Sequence, residues 1–288
     1  MYNQIDANKR KTRLLIAIFL CFVVGIGYVF YLLGYGYESV VIALIISLFM
    51  SWFSYYHSDK IAIKSAGAVE ISKEDNPYVY RMVENLCLSI GMPMPKVHII
   101  NSPALNAFAT GRDPEHASIA LTTGIIQALE NEELEGVIAH ELSHVQNYDI
   151  RVMTIVVVLV GAIALLSDFF FRASFSGRGS DKKGHPALMI IGIVLIILSP
   201  LIAELIKMAV SRKREFLADA SGALMTRYPE GLARALEKIS ASNIPFDRAS
   251  KATAHLFISN PFKGSKVKNL FSTHPPAEER IAKLRGMA

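Results

Sequence analysis

Cysteine is almost absent from this chain: two occur in 288 residues, Cys21 within an apolar run and Cys87 in a stretch of helical pattern. Neither has metal-ligand spacing, so the pattern implies neither a disulfide framework nor a thiolate metal site. Charge is missing over long distances. Leu14–Leu33 and Val40–Tyr56 contain no charged residue, and neither do Val152–Ser167 and Pro186–Ala203. Crossing a bilayer takes roughly 20 apolar residues in a helix. The first run meets that outright, and the others reach it with their aromatic and interfacial flanks. Hydrophobic residues make up 52% of the chain, above the roughly 45–50% of ordinary soluble domains. No small-residue cleavage site separates the first two runs, which reads against a cleaved signal peptide. Internal repeats are lacking too, and the one biased segment is the glycine- and serine-containing loop near 174–184.

These absences describe an integral membrane protein with four predicted transmembrane helices. Its orientation follows from the flanking charges. Lys9, Arg10, Lys11 and Arg13 precede the first run, Lys60 and Lys64 follow the second, and the short loop between them carries only Glu38. Arg212-Lys213-Arg214 follow the fourth. By the positive-inside rule these basic flanks are cytoplasmic. Arg172, Arg178, Lys182 and Lys183 oppose that rule, since the same topology puts their loop outside. A net charge of +5 does not point to nucleic acid, because most of the basic residues border apolar runs, where they serve topology and lipid headgroups.

The polar remainder gives four parts: an N-terminal transmembrane hairpin (1–58), a first polar half (59–150), a second hairpin (151–210) and a second polar half (211–288). In the first half, Pro77–Ile90 reads as a helix stopped by Gly91 and Pro93. Lys96–Ile100, Asn106–Thr110 and Ser118–Thr122 read as short strands, the last two joined by a turn at 111–114. Asn131 reads as the cap of a helix carried to about Asn147 by Leu134, Val137, Ile138, Leu142 and Val145. In the second half, Pro229–Ser240 and Pro275–Leu284 are helical. The fold class is α+β, mainly helical, with a small sheet.

On the capped helix stands His140-Glu141-Leu142-Ser143-His144. Histidines at i and i+4 share a helix face, so both imidazoles can reach one metal ion. Glu141 is then placed to hold the attacking water and take its proton. Catalytic zinc usually keeps three protein ligands and one open position. No histidine follows closely after His144, so the third ligand is sought among acids. Glu215 and Asp219 are i, i+4 on the helix after the fourth run. Glu215 can face the metal, and Asp219 can receive the free N–H of a ligand histidine. Two imidazoles and a carboxylate suit Zn2+, one per chain.

This pattern, His140-Glu141-x-x-His144 then Glu215-x-x-x-Asp219 with apolar runs around both, resembles the HtpX-type membrane zinc metalloproteases, relatives of the CAAX prenyl protease. Two more segments match. Asn106-Ala107-Phe108-Ala109 resembles the family's edge strand beside bound substrate, which would pair main chain to main chain with an extended peptide. His274-Pro275-Pro276 with Arg280 resembles the family's late motif. By that similarity His274 stabilises the oxyanion, and Arg280 orients the site or pairs with a carboxylate. Taken alone, His274 is a helix-start residue and Arg280 a surface charge. The resemblance implies a gluzincin-like domain, protein or peptide substrates, and a multi-pass plasma (inner) membrane enzyme with its catalytic part in the cytoplasm. It also implies a role in quality control of misfolded membrane proteins. CAAX-type processing, cleavage inside the bilayer and a non-catalytic zinc-stabilised scaffold are the alternatives, and homo-oligomerisation stays open. Glu204, about three turns before Glu215, is expected on the same helix side, lining a hydrated path to the metal or pairing with Lys207.

Overall fold

The structure, a computed structural model, describes residues 2–176, 212–248, 253–261 and 275–287. Helix α1 (Tyr2–Phe30) and helix α2 (Glu38–Ala66) form an antiparallel hairpin. Within it, Ile5–Phe30 and Glu38–Ala66 are long and apolar enough to cross a membrane. The basic N-terminal flank expected outside the span is helical too, so α1 runs well past the apolar run. The buried face of α2 is Ala43, Ser47, Ser51, Ser54, Ser58, Ala62 and Ala66, small residues that let its backbone approach its neighbours closely. Its outer face exposes Ile42, Ile45, Phe49 and Trp52.

A short strand, β1 (Ala68–Glu70), leads to α3 (Pro77–Ile90). Helix α3 has the expected ends: Asn76 Oδ1 accepts from the Val79 N–H at 3.1 Å, Pro77 opens the first turn, and Gly91 closes it in the left-handed region. Strands β2 (Lys96–Ile100), β3 (Ala107–Gly111) and β4 (Ala117–Thr122) complete a mixed sheet of order β1-β2-β4-β3. Only β2 and β4 run parallel. Strand β3 is an edge, as the sequence led us to expect, though it starts one residue later than read there.

Helix α4 (Thr123–Ala128) precedes α5 (Asn131–Gln146), which is buried along nearly its whole length. Its N-cap is Glu130, not Asn131. The Glu133 carboxylate reaches back to the Glu130 N–H at 2.8 Å, which moves the helix boundary one residue upstream. Helix α6 (Asp149–Ser176) follows after a break at Asn147-Tyr148, where Tyr148 takes φ 60°. Across this elbow α5 and the described start of α6 are bent by 81°. The third apolar run lies on α6; the fourth, with Glu204, lies outside the described residues.

Helices α7 (Arg212–Thr226) and α8 (Pro229–Ala241) pack on α5, and α9 (Ala277–Arg285) packs on both. Two glycines set these distances. A Cβ on Gly136 would lie 2.7 Å from the Leu232 backbone nitrogen of α8, and one on Gly222 would lie 3.0 Å from the His140 nitrogen. One apolar cluster, including Val83, Leu121, Ile138, Leu142, Leu236 and Leu284, joins α3, the sheet, α5, α8 and α9. A separate cluster, with Leu15, Phe19, Val156 and Leu159, joins the hairpin to α6. The helix carrying the two motif histidines is thus held from every side.

Candidate metal centre

His140, Glu141 and His144 lie on α5, and Glu215 and Asp219 lie on α7; all five are buried. The closest donor atoms of His140, His144 and Glu215 all fall within 4.8 Å of one another. Nε2 of His140 and Nε2 of His144 are 3.2 Å apart. From Glu215, one carboxylate oxygen is 3.8 Å from His140 Nε2 and the other 3.6 Å from His144 Nε2. Donors placed tetrahedrally at 2.0–2.1 Å around one ion stand about 3.3–3.4 Å from each other, so this buried His-His-Glu set fits a single metal ion.

Each histidine is held from behind by a carboxylate. His140 Nδ1 is 3.0 Å from Asp219 Oδ1, the arrangement expected from the i, i+4 spacing of Glu215 and Asp219. Arg280 reaches this carboxylate from α9. Its Nε donates to Asp219 Oδ2 at 2.9 Å and its Nη2 to Oδ1 at 2.6 Å, a bidentate pair in full burial. Read in isolation as a surface charge, Arg280 is instead among the most buried side chains of the chain. The second carboxylate was not visible in the sequence. Asp149, at the start of α6, places Oδ2 3.1 Å from His144 Nδ1. Arg214 lies 3.5 Å from its other oxygen, and the Asn8 amide donates to that oxygen at 2.7 Å. An acidic residue just past the motif helix was the available signal. Nothing in one sequence tells that the chain turns there and brings Asp149 back.

The surroundings drive the two histidines apart. Burial lowers His140 to about 4, and the nearby Arg280 charge acts in the same direction, against the Asp219 hydrogen bond. Burial lowers His144 as well, but there the Asp149 hydrogen bond and the Glu215, Asp149 and Glu141 charges prevail and raise it to about 9. Burial raises Asp219, yet the adjacent Arg280 and the His140 hydrogen bond outweigh it, and the group falls to about 2. A proton on His144 Nε2 can therefore be shared with the neutral His140 Nε2 across their 3.2 Å contact.

Asn106, just before the edge strand, and Ala107 and Phe108 on it are all buried. Asn106 O accepts from the Thr122 N–H, so alternation turns the main-chain groups of Ala107, Ala109 and Gly111 away from β4. Part of that outer edge is taken. The Ile258 N–H donates to Ala107 O at 3.0 Å, the Asn106 amide donates to Ser259 O at 3.1 Å, and the Gly111 N–H donates to Thr154 Oγ1 at 3.3 Å. The Phe108 ring packs edge-on against Phe257 inside the fold, with centroids 5.1 Å apart. His274 lies outside the described residues.

A sequence profile of the Peptidase family M48 matches residues 73–288. The chain belongs to this family. Its M48 relatives include the "Protease HtpX homolog" of Caldanaerobacter subterraneus subsp. tengcongensis, 45% identical over 294 residues, covering 100% of this chain and 98% of the relative. That of Dictyoglomus thermophilum is 45% identical over 288 residues, covering 99% and 94%. Among solved structures, Ste24p of S. mikatae superposes with a TM-score of 0.51 at 21% identity, covering 95% of this chain and 65% of that one. That likeness is one of fold. The M48 family, the HtpX relatives and the two apolar helices together describe a membrane protease with a buried cluster compatible with a metal ion.

Proposed function

We propose that this chain is a zinc-dependent endopeptidase that cuts misfolded membrane proteins, or their cytoplasmic segments, next to the bilayer. The observation that carries the reading is the buried convergence of His140, His144 and Glu215 donors with Glu141 on the same helix turn. Two imidazoles and one carboxylate suit zinc, and three protein ligands leave one position for chemistry. Held by His140, His144 and Glu215, a zinc ion would supply Lewis acidity for the scissile carbonyl and lower the pKa of the attacking water to about 7. Glu141 takes the proton of the attacking water and gives it to the leaving amine. Asp219 and Asp149 hold the two imidazoles in the tautomers that turn Nε2 inward. Arg280 keeps Asp219 ionised and in place. His274 is assigned to the developing oxyanion on the resemblance alone.

Strand β3 is the assigned substrate platform. Main-chain pairing at its outer edge would bind extended peptide with little regard to sequence. Ile258-Ser259 covers the start of that edge and Thr154 its end, and Ala109 between them is itself buried, so peptide pairing at Ala109 requires the covering segment to move aside. The gluzincin-like domain, split as 59–150 and 211–288, alternates along the chain with two membrane hairpins, 1–58 and 151–210, four spans in all. The basic residues flanking the first hairpin place it on the cytoplasmic side.

The test is cleavage of an unfolded substrate by the detergent-purified chain, beside Glu141→Gln and chelator-treated samples. Only untreated wild type should cut, with Glu141→Gln still carrying one zinc. If Glu141→Gln cuts as fast as wild type, the role of Glu141 is wrong. If wild type binds zinc tightly but cuts no substrate offered, the scaffold reading takes precedence.

A further inference from the structure

We propose that Asn8, on the membrane helix α1, is a positioning residue for the metal centre, acting through Asp149 on His144; the inference rests on the metal-site reading above. Asn8 is 1% exposed, although its neighbours Lys9 and Arg10 are charged. Its side-chain nitrogen makes two contacts with residues far along the chain. It donates to Asp149 Oδ1 at 2.7 Å and to the Asn147 carbonyl oxygen at 2.9 Å. The other Asp149 oxygen, Oδ2, is the one at His144 Nδ1. One carboxylate therefore joins an amide of the first membrane helix to an imidazole of the metal centre.

The physical argument is one of satisfaction and orientation. A buried carboxylate whose second oxygen lacks a donor is costly, and it gains by rotating or drawing in water. Either response would tilt the His144 ring, whose direction is set by its Nδ1 partner. Arg214 Nη1 stands 3.5 Å from the same oxygen, an ion pair without hydrogen-bond geometry, so the short 2.7 Å donor to that oxygen is Asn8. Asn8 also clasps the elbow itself, since Asn147 ends α5 and Asp149 opens α6. Beside it Lys9 lies 5.1 Å above the Tyr148 ring, the residue with positive φ. The cytoplasmic extension of α1 thus serves as part of the frame of the site as well as a topology signal.

The test measures zinc affinity of the full chain in detergent, by competition with a chromophoric chelator. Asn8→Ala should weaken zinc binding about threefold to tenfold, the range of one net hydrogen bond. Leu15→Ala, which removes apolar packing between α1 and α6 without touching Asp149, should leave the affinity within about twofold. Asp149→Ala should weaken binding about tenfold to a hundredfold, and adding Asn8→Ala to it should change nothing more. Unchanged affinity in Asn8→Ala overturns the proposal. So does an equal loss in Leu15→Ala, or an Asn8 effect that persists without Asp149. Absence of zinc binding by wild type would instead refute the metal-site reading beneath it.

Discussion

Replacing Gly222 by alanine should damage the site while leaving the fold nearly as stable. The added Cβ would stand 3.0 Å from the backbone nitrogen of His140 and 3.2 Å from its Cα. Carbon contacts relax at about 3.5–4.0 Å, so one helix must yield by about half an ångström. Helix α5 is enclosed along nearly its whole length and cannot retreat, so α7 moves outward and carries Glu215 and Asp219 with it. The 3.0 Å contact of His140 with Asp219 would stretch to about 3.5 Å, the limit of a hydrogen bond. Metal sites tolerate about 0.2 Å of error in ligand distance. Against this, alanine is the better helix former by about 1 kcal/mol, which offsets much of the packing cost. We therefore expect kcat/KM on an unfolded substrate to fall about tenfold to a hundredfold, with zinc affinity falling alongside. Thermal unfolding should shift little. Gly161→Ala is the control, since a Cβ there meets nothing within 4 Å. Wild-type activity and zinc affinity in Gly222→Ala would refute the view that this approach sets the site.

Two further outcomes follow from the charges behind the histidines. Arg280→Met should leave Asp219 buried without its cation and destabilise the chain by about 3–5 kcal/mol, measurable as a shift in chemical unfolding. A stability change under about 1 kcal/mol would mean that the pair contributes little. With His144 raised to about 9, the metal-free site carries a proton at pH 7 that a bound ion must displace. Calorimetric titration of zinc in buffers of different ionisation enthalpy should show about one proton released per ion at pH 7. Log affinity should rise by about one per pH unit up to about pH 9 and flatten above it. Because His140 sits at about 4, a second competing proton enters only as the pH falls towards that value. Zinc binding with no proton release at pH 7 would contradict the raised His144.

The parts that the sequence made legible are those fixed by local rules. Asn76-Pro77 and Gly91 bracket α3 because a cap, a first-turn proline and a left-handed glycine act within a few residues. The histidine pair and the Glu215, Asp219 pair were readable because a helix turns i and i+4 to one side. What stayed hidden depends on contacts between distant segments. Arg280 is a charge on an amphipathic helix until α9 docks and presses it onto Asp219. Asp149 gains its role only because Tyr148 turns the chain, and Asn8 only because the hairpin folds back on that turn. Strand β1 has three residues, too short for alternation to show. The cap of α5 was misplaced because asparagine is a common cap, whereas Glu130 is held there by Glu133.

The elbow at Tyr148 also works as a height gauge. With α6 standing in the bilayer, as proposed, a joint of 81° lays α5 almost flat along the membrane surface. His140 and His144 then ride at nearly the same elevation, about 14 Å and about 8 Å along the chain from the residue where α6 begins. On that reading a site fixed to the elbow would stay near the height at which α6 leaves the bilayer. Polypeptide would be chosen less by the side chains it displays than by how much slack it has between its own membrane anchor and the bond to be cut. A well-folded membrane protein offers no such slack, and a disordered tail or an unravelled loop offers plenty.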